Sequence, residues 1–270
     1  MKRKNLIVID GHNLLFKAYG VPFKFYSKQG TPLHVVTTYL SLIRRALKAI
    51  EPNECSDIVI VFDSYHKTSN HKLLDTYKAH RRDYTQDEDS PFHHLPYVEK
   101  IVKFLKIKSY RKKGVEADDI IASLAKGYRR AYRGSHVYIV SGDSDFYQLL
   151  TKDISQIILE NKSAFSLLTP EAVTRKLGIS PKQYVYFKSL TGDKSDNISG
   201  VPGIGKVRAA KIIRKELEVD LRAHADILKR NKQLITLNTK MANCKNWNTL
   251  SLHSERLTLI NAEIFSKLKF

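Results

Sequence analysis

The chain has 270 residues, of which 42% are hydrophobic, and this length and composition allow one large globular domain or a domain with a smaller appendage. Its 46 lysines and arginines against 27 aspartates and glutamates give a formal charge of +19, which favours a polyanionic partner, most often nucleic acid, over a membrane surface. Cys55 and Cys244 lie far apart without a CxxC motif, and the ten histidines lack HExxH spacing, which argues against a disulfide framework or a zinc site and leaves oxygen ligands for any metal.

The amino terminus carries no sign of a secretory leader. The opening MKRKN is basic, but only LIVI follows before Asp10, whereas a leader needs about 7–15 apolar residues. Apolar runs elsewhere are also far shorter than the ~20 residues of a membrane-spanning helix. We therefore expect a soluble protein of the cytoplasm with no membrane partner. A monomer is also expected.

Strand-like and helical segments alternate along the first part of the chain. The pattern predicts strands over 6–10, 57–63, 136–141 and 156–160, and helices over 34–50, 95–106, 116–132 and 145–151. Such alternation is typical of an α/β fold with a mostly parallel sheet covered by helices on both faces. From about Thr169 the pattern becomes helical, and after about Glu218 it gives no clear assignment.

The segment from Ser64 to Pro96 is polar, basic and too long for a plain connector. Its centre, KLLDTYKAHRRDY, predicts a helix over 72–84 that places Lys78, Arg81 and Arg82 on one face, and TQDEDSP (85–91) should end that helix. A solvated basic face is the ordinary interpretation of such a helix. The position of this helix directly after a strand favours a functional one.

Three predicted strands end on an aspartate. LIVIDG ends at Asp10, DIVIVFD ends at Asp63, and HVYIVSGDSDFYQLL carries Asp143 and Asp145 just after its strand. A helix cap would explain one such acid. Because the carboxyl ends of parallel strands line the ligand crevice of such sheets, we expect the three strand ends to meet.

Two further acidic segments join this set. GVEADDIIASLAKGY (114–128) taken alone is an ordinary acidic helix start, and LTGDKSDN (190–197) is an ordinary Asx-rich loop. With the strand ends they make nine of the 27 acids: Asp10, Asp63, Glu116, Asp118, Asp119, Asp143, Asp145, Asp193 and Asp196. In one crevice, neighbours ~4 Å apart would repel by up to ~4 kcal/mol per pair, which Mg²⁺ or Mn²⁺ would offset. A basic surface around such a crevice suits two-metal phosphodiester hydrolysis.

The loop GVPGIGKV matches GxxxxGK and so resembles a nucleotide-binding P-loop. Val207 stands where a P-loop has the Ser or Thr that holds Mg²⁺, and the loop lies between helical patterns instead of following a strand. We therefore interpret it as a helix-hairpin-helix, in which Gly203 and Gly205 let backbone N–H groups reach DNA phosphates, with Lys206 beside them.

Six segments in fixed order resemble the bacterial and phage 5' nuclease family, most of all the 5' to 3' exonuclease domain of bacterial DNA polymerase I. They are DGHNLLFKAY, VFDSY, YKAHRR, GVEADDIIASLAKGY, VSGDSDFYQLL and LTGDKSDNISGVPGIGKVRAA. The resemblance runs from Asp10 to about Glu218, and no polymerase portion follows. It therefore implies a stand-alone flap endonuclease.

The resemblance implies a fold and a domain plan. A PIN-like catalytic α/β domain is expected over 1–168, with a helical arch at about 64–96. A helical DNA-binding region is expected over 169–270, including the helix-hairpin-helix at about 180–217. In relatives the hairpin carbonyls also hold a monovalent cation, so K⁺ is expected there.

Residue roles follow from the same resemblance. The resemblance implies one metal cluster, supported by Asp10, with six acids in it or beside it: Asp63, Glu116, Asp118, Asp119, Asp143 and Asp145. Asp193 and Asp196 match the acids of a second, more distant cluster. Ser144 departs from the family pattern, because many relatives have a basic residue between the two aspartates, and a phosphate contact there is therefore not expected.

The basic segment also receives roles by resemblance. Lys78 and Arg81 match a pair that clamps the scissile phosphate and stabilises charge in the transition state. Arg82 is expected to contact DNA, and Tyr77 to stack on a base, although a tyrosine beside an apolar stripe commonly belongs to the core.

The sequence thus predicts a structure-specific 5' nuclease that uses two or more Mg²⁺ or Mn²⁺ ions. Its substrates would be DNA with 5' flaps, nicks or free 5' ends, and its products would carry a 5'-phosphate and a 3'-hydroxyl. One alternative is a catalytically weak junction-binding protein on the same fold. Another is a PIN-type ribonuclease, which fits the acids but not the arch and hairpin together.

Overall fold

A six-stranded sheet forms the centre of the protein in a computed structural model that describes residues 5–27, 33–50, 56–66, 68, 70–82, 84, 90–160 and 164–242. The strands are β1 (Asn5–Asp10), β2 (Ser56–Val61), β3 (Lys108–Tyr110), β4 (Val137–Val140), β5 (Ile154–Glu160) and β6 (Ala164–Leu168). Their order across the sheet is β3-β2-β1-β4-β5-β6, and all neighbours are parallel except β5 and β6. The predicted mostly parallel sheet is confirmed. The two edge strands, β3 and β6, are not among the predicted strands. β3 has only three residues, too few to show a pattern.

Helices cover both faces of the sheet. Within the described ranges they are α1 (Gly11–Tyr19), α2 (His34–Lys48), α3 (Asn70–Leu73), α4 (Pro91–Phe104), α5 (Ala117–Ala131), α6 (Pro170–Leu177), α7 (Tyr184–Thr191), α8 (Lys206–Ile213) and α9 (Ala225–Ile235). The predicted helix at 95–106 begins earlier, because the Ser90 side chain accepts the Phe92 amide and Pro91 suits the first helical position. A 3₁₀ helix, Ser144–Leu149, takes the place of the helix predicted over 145–151.

The central strand β1 is buried on both faces, which explains its unbroken apolar sequence. Ile7 and Ile9 pack into the core with α1, α2 and α4, whereas Leu6 and Val8 pack against α5. In the parallel register, Asp10 lies opposite Val61 at the end of β2. The chain that follows each parallel strand therefore leaves the sheet at one common edge.

The helix predicted over 72–84 is wrong. Only α3 is helical there, and turns follow it, with i to i+3 bonds such as Arg81 N to Lys78 O at 3.1 Å. Lys78 has a φ of 57°, and its amide donates to the Asp196 carbonyl at 3.1 Å. This contact with a residue more than a hundred positions away turns the backbone out of a helical path. The predicted break at 85–91 lies mainly on residues 85–89, which are outside the described ranges.

A second apolar core joins α6, α7 and α8, with Val173, Phe187 and Leu190 at its centre. Between α7 and α8 the chain forms a short antiparallel pair, β7 (Gly192–Asp193) and β8 (Ile198–Ser199), around a 3₁₀ turn. α8 thus follows a small hairpin instead of a strand of the main sheet, in agreement with the exclusion of a P-loop.

No helix in the described ranges has the length and apolar character needed to cross a membrane. Both cysteines lie outside those ranges.

Candidate active site

The carboxylate of Asp10 is buried at the end of β1. Its Oδ1 accepts the Asn13 amide at 3.0 Å and so caps α1, and its Oδ2 accepts the Ser141 hydroxyl at 2.8 Å. Burial, together with the nearby charges of Asp63 and Asp143, raises the pKa of Asp10 to about 7. The strand ends therefore meet, as the sheet topology predicts.

Asp63 is fixed by contacts on both sides. Its Oδ1 accepts the amide of Ala117 at 2.8 Å, at the start of α5, and its own amide donates to Nδ1 of His12 at 3.0 Å. A nitrogen that accepts a hydrogen bond carries no proton, and burial also lowers the pKa of His12. A neutral His12 thus orients the Asp63 backbone, a role that the sequence pattern did not suggest.

Asp118 and Asp143 complete the group at the strand ends. Burial, followed by the charges of Asp143, Asp10 and Asp63, raises the pKa of Asp118 well above its ordinary value. Burial likewise raises the pKa of Asp143, whose Oδ1 accepts the Asp145 amide at 2.9 Å. We call these four acids, Asp10, Asp63, Asp118 and Asp143, the strand-end cluster.

A second group joins the sheet to the helical region. Oxygens of Asp145, Asp193 and Asp196 all lie within 4.8 Å of one another, and we call these three acids the hairpin cluster. Burial, and then the charge of Asp143, raises the pKa of Asp145 to about 7. Its Oδ1 is buried without a hydrogen-bond partner, 3.5 Å from the Lys188 ammonium. The structure therefore groups Asp145 with the two hairpin acids as well as with Asp143.

These donor sets fit a hard divalent cation. All seven acids offer oxygen, as Mg²⁺ and Mn²⁺ prefer. The unpartnered Oδ1 of Asp145 and the raised pKa values indicate negative charge that the protein alone does not fully offset. The hairpin cluster, whose oxygens lie within 4.8 Å of one another, could hold such an ion.

Glu116 is compensated by protein groups instead. It accepts hydrogen bonds from Lys78 Nζ at 2.6 Å, the Thr68 hydroxyl at 2.7 Å and Nδ2 of the Asn70 side chain at 3.2 Å. Burial alone would raise the pKa of Glu116, but the charge of Lys78 and the hydrogen bonds from Lys78, Thr68 and Tyr77 hold it below its ordinary value. Glu116 is therefore a charged carboxylate that anchors Lys78.

Asp119 also has a protein partner, because its Oδ1 accepts the amide of Asn238 at 2.7 Å. Burial raises the pKa of Asp119 to about 6. Five of the predicted acids nevertheless line one cavity of about 190 Å³: Glu116, Asp118, Asp119, Asp145 and Asp196. The predicted acids thus come together in one region, with Glu116 and Asp119 held by other residues.

Lys78 and Arg81 lie among these acids. Besides its bond to Glu116, Lys78 Nζ lies 4.0 Å from Asp196, and Arg81 donates to Asp196 at 2.7 Å. Burial disfavours the charged form, but Glu116 and Asp196 outweigh it and keep the pKa of Lys78 above its ordinary value. Both cations are therefore held at the site in charged form. Arg82, by contrast, has its guanidinium 5.0 Å from the Tyr84 ring.

The base-stacking role expected for Tyr77 does not agree with its position. The side chain is buried, and its hydroxyl lies 3.1 Å from Glu116 and 3.0 Å from Asp196. A ring that links two carboxylates from within the protein offers no open face to a base. The sequence could not show these two contacts, because Glu116 and Asp196 approach Tyr77 only in the folded chain.

Lys188 is a site residue that the sequence analysis missed. It donates to Asp193 and lies 3.5 Å from Asp145, so it joins two acids of the hairpin cluster. These contacts outweigh burial and keep the pKa of Lys188 above its ordinary value. A lysine in the last turn of a helix, five positions before Asp193, was the available signal.

The glycine loop lies outside both acidic clusters. Gly203 has a φ of 73°, and its carbonyl accepts Arg208 at 2.8 Å. Gly205 precedes α8, and Lys206 is the first residue of that helix and is exposed. The loop thus presents a helix amino terminus at the surface.

The chain matches two family models. Residues 5–178 match the 5'-3' exonuclease, N-terminal resolvase-like domain, and residues 179–220 match the 5'-3' exonuclease, C-terminal SAM fold. It is 35% identical over 214 residues to a 5'-3' exonuclease of Buchnera aphidicola subsp. Schizaphis graminum, covering 79% of this chain and 71% of that protein. It is also 33% identical over 210 residues, 78% of this chain, to the thermostable DNA polymerase I of Thermus filiformis, of whose length the match covers only 24%.

A solved structure has the same fold. The T5 D15 protein, co-crystallised with metal ions, is similar with a TM-score of 0.69 over 97% of this chain and 100% of that chain, at 23% identity. At this identity the likeness concerns the fold alone. The family models, however, cover most of the sequence, including every acid of the two clusters. The chain therefore belongs to the 5'-3' exonuclease family.

Proposed function

We propose that the protein is a structure-specific 5' nuclease that hydrolyses DNA phosphodiester bonds at 5' flaps, nicks and free 5' ends. One observation carries this proposal: nine carboxyl groups converge in a chain of charge +19, and three basic side chains, Lys78, Arg81 and Lys188, ion-pair with them in the described ranges. A basic protein with an acidic crevice attracts a polyanion and still requires bound cations at the place where that polyanion reacts.

Mg²⁺ or Mn²⁺ is the proposed cofactor, with two or more ions. When bound, such ions activate the attacking water and neutralise the leaving oxygen in phosphodiester hydrolysis. The strand-end cluster and the hairpin cluster would hold them, and Glu116 and Asp119 would support these acids from beside them. Products with a 5'-phosphate and a 3'-hydroxyl are part of the proposal.

Lys78 and Arg81 are the proposed catalytic cations. Both bond Asp196 or Glu116 and are therefore already at the acids when DNA arrives. A fixed positive charge at the scissile phosphate costs no reorganisation at the moment of reaction and stabilises the charge that develops there. Tyr77, whose hydroxyl contacts both Glu116 and Asp196, would hold these two carboxylates in place beside the cations.

The helical region is the proposed DNA-holding part. Gly203, Gly205 and Lys206, at the start of α8, would bind backbone phosphates through N–H groups and charge, with K⁺ at the loop carbonyls. Arg82, near Tyr84, would contact the DNA from the segment at about 64–96. The division into a catalytic part over 1–168 and a DNA-binding part over 169–270 belongs to this proposal, as do a monomeric state and a location in the cytoplasm with the DNA.

The experiment is to incubate a 5'-flap DNA and a matching nicked duplex with the protein and Mg²⁺ and to map the ends of the products. The proposal expects cuts at or near the flap junction and short products from the nick, all with a 5'-phosphate. Binding to the flap without any cleavage would instead support a junction-binding protein. Cleavage restricted to RNA strands would support a ribonuclease.

A further inference from the structure

A segment beyond the match to the family models lies against the acids. Residues 236–242, which follow α9 and which we call the strap, come after residue 220, where that match ends. The strap contacts the two acidic elements, α5 and the 3₁₀ helix Ser144–Leu149.

Gln148 joins the strap to the 3₁₀ helix. Its Nε2 donates to the carbonyls of Asp145 at 2.9 Å and Ile235 at 3.0 Å, and its Oε1 accepts the Leu237 amide at 3.0 Å. Both N–H groups and the carbonyl of this side chain are thus used. Gln148 therefore ties the turn that carries Asp145 to the chain entering the strap.

A second set of bonds joins the strap to α5. The Asn238 amide donates to Asp119 at 2.7 Å, and the Met241 amide donates to the Ser123 hydroxyl at 2.8 Å. The same hydroxyl lies 2.7 Å from the Asp119 carbonyl and 3.1 Å from the Asn238 carbonyl. Lys112 holds the far end through the Met241 carbonyl at 3.0 Å.

The strap also forms a wall of the 190 Å³ cavity that contains five of the acids. Leu237, Asn238 and Met241 line this cavity with Asp118 and Asp145. Neighbouring carboxylates that repel one another separate unless their backbones are fixed. The neutral N–H groups of the strap bond the side chains of Gln148 and Ser123, which in turn bond the backbone carbonyls of Asp145 and Asp119.

We propose that the strap is a positioning element for the metal-holding acids and that Gln148 is the positioning residue that transmits its hold to Asp145. This inference rests on the metal site proposed above. Contacts that orient ligand residues without touching the metal typically contribute 10–100-fold to metal affinity, about the effect expected here.

The test uses Gln148→Met, which keeps the side-chain length and removes its donors and acceptor. The dissociation constant for Mn²⁺ is measured on the DNA-free full chain by electron paramagnetic resonance of the unbound ion. We expect that constant to rise about tenfold or more. With flap DNA, kcat should fall at low Mn²⁺ and recover at high Mn²⁺, with an unchanged KM for DNA. Ser123→Ala, which loosens the strap at α5, should act in the same direction.

Tyr128→Phe is the matched control. It removes a buried hydrogen bond of 3.0 Å to Asp57 from the other end of α5, so it lowers stability without touching the strap. Its Mn²⁺ affinity should equal that of the unsubstituted protein. Equal Mn²⁺ affinity of the Gln148→Met and unsubstituted proteins would overturn the role of the strap alone. Absence of Mn²⁺ binding to the unsubstituted protein would overturn the metal site and this inference together.

Discussion

Lys78 shows how a single residue serves both the fold and the site. Its backbone leaves the helical path to bond Asp196, and its ammonium reaches Glu116 at 2.6 Å. Its φ of 57° is uncommon outside glycine, and the bond between its amide and the Asp196 carbonyl stabilises this conformation. The same contact therefore shapes the backbone and brings Lys78 to the acids.

Lys78→Ala should lower kcat on a flap substrate by about 10²–10³-fold while weakening DNA binding only modestly, since a transition-state contact acts mainly on the chemical step. Single-turnover rates at saturating protein measure this. Arg81→Ala should behave similarly with a larger effect on binding. Arg82→Ala, in the same basic segment but near Tyr84 instead of the acids, is the control for lost charge. Normal turnover of Lys78→Ala at saturation, with weaker binding, would contradict the catalytic role.

The raised pKa values of the buried acids predict that the stability of the metal-free protein, measured with a chelator present, depends on pH. The pKa of both Asp10 and Asp145 is raised from 3.8 to about 7 by burial and neighbouring charge, so between these values the folded state binds more protons than the unfolded state. Their contribution to the free energy of unfolding is thus greatest below about pH 4 and is lost as the pH rises through 7. The melting temperature of the metal-free protein should fall over this range.

Other groups also titrate in this range, and buried His12, with its lowered pKa, acts in the opposite direction. The decisive comparison is therefore with Asp145→Asn, which cannot ionise and should show a weaker fall of melting temperature between pH 5 and 8. Mg²⁺ should also stabilise the unsubstituted protein more at pH 8 than at pH 5, because ligands must lose their protons to bind metal. An equal fall of melting temperature with pH in both proteins would refute the raised pKa of Asp145.

At the scale of elements, the hairpin between α7 and α8 brings Asp193 and Asp196 to Asp145. Gly192 makes this possible: its φ is 72°, and a Cβ there would meet the backbone of Ile198 and Gly200. The two hairpin acids thus reach the sheet acids through a close backbone approach that only glycine permits.

Gly192→Ala should therefore lower the free energy of unfolding by more than about 1 kcal/mol. Because the hairpin acids would shift, Mn²⁺ affinity should fall as well. The matched variant is Gly205→Ala, where φ is −85° and a new Cβ meets nothing within 4 Å. Its melting temperature should change less, whereas its DNA affinity should fall if the loop N–H groups bind phosphates. Equal loss of stability in both variants, measured by denaturant unfolding, would refute this account.

The elements also mark the limit of what the sequence can predict. The meeting of Asp10, Asp63 and Asp143 follows from local pattern, since parallel strands end at one edge. The turns at 75–80, the bonds of Tyr77 to Glu116 and Asp196, and the contact of Lys188 with Asp145 could not be predicted, because each depends on a partner on another element. The strap lay beyond the recognisable motifs, and its polar contacts leave no periodic signal.

At the scale of the whole molecule, the charge distribution separates binding from chemistry. The basic excess and the α8 loop should bind DNA by phosphate contacts, with a logarithmic salt slope of about −0.9 per neutralised phosphate. The two acidic clusters should act on the chemical step. A variant that alters only the acids should therefore lose cleavage and keep salt-sensitive binding.

The most direct test is cleavage and binding by one folded variant, Asp143→Asn with Asp145→Asn. If these acids hold catalytic metal, this variant should not cleave a 5'-flap DNA in Mg²⁺, yet should bind it with an affinity that falls steeply with salt. If they served only as caps, the variant would lose about 0.5–2 kcal/mol of stability per cap, and its folded fraction would cleave normally. Substantial Mg²⁺-dependent cleavage by the folded double variant would contradict the metal-dependent nuclease assignment.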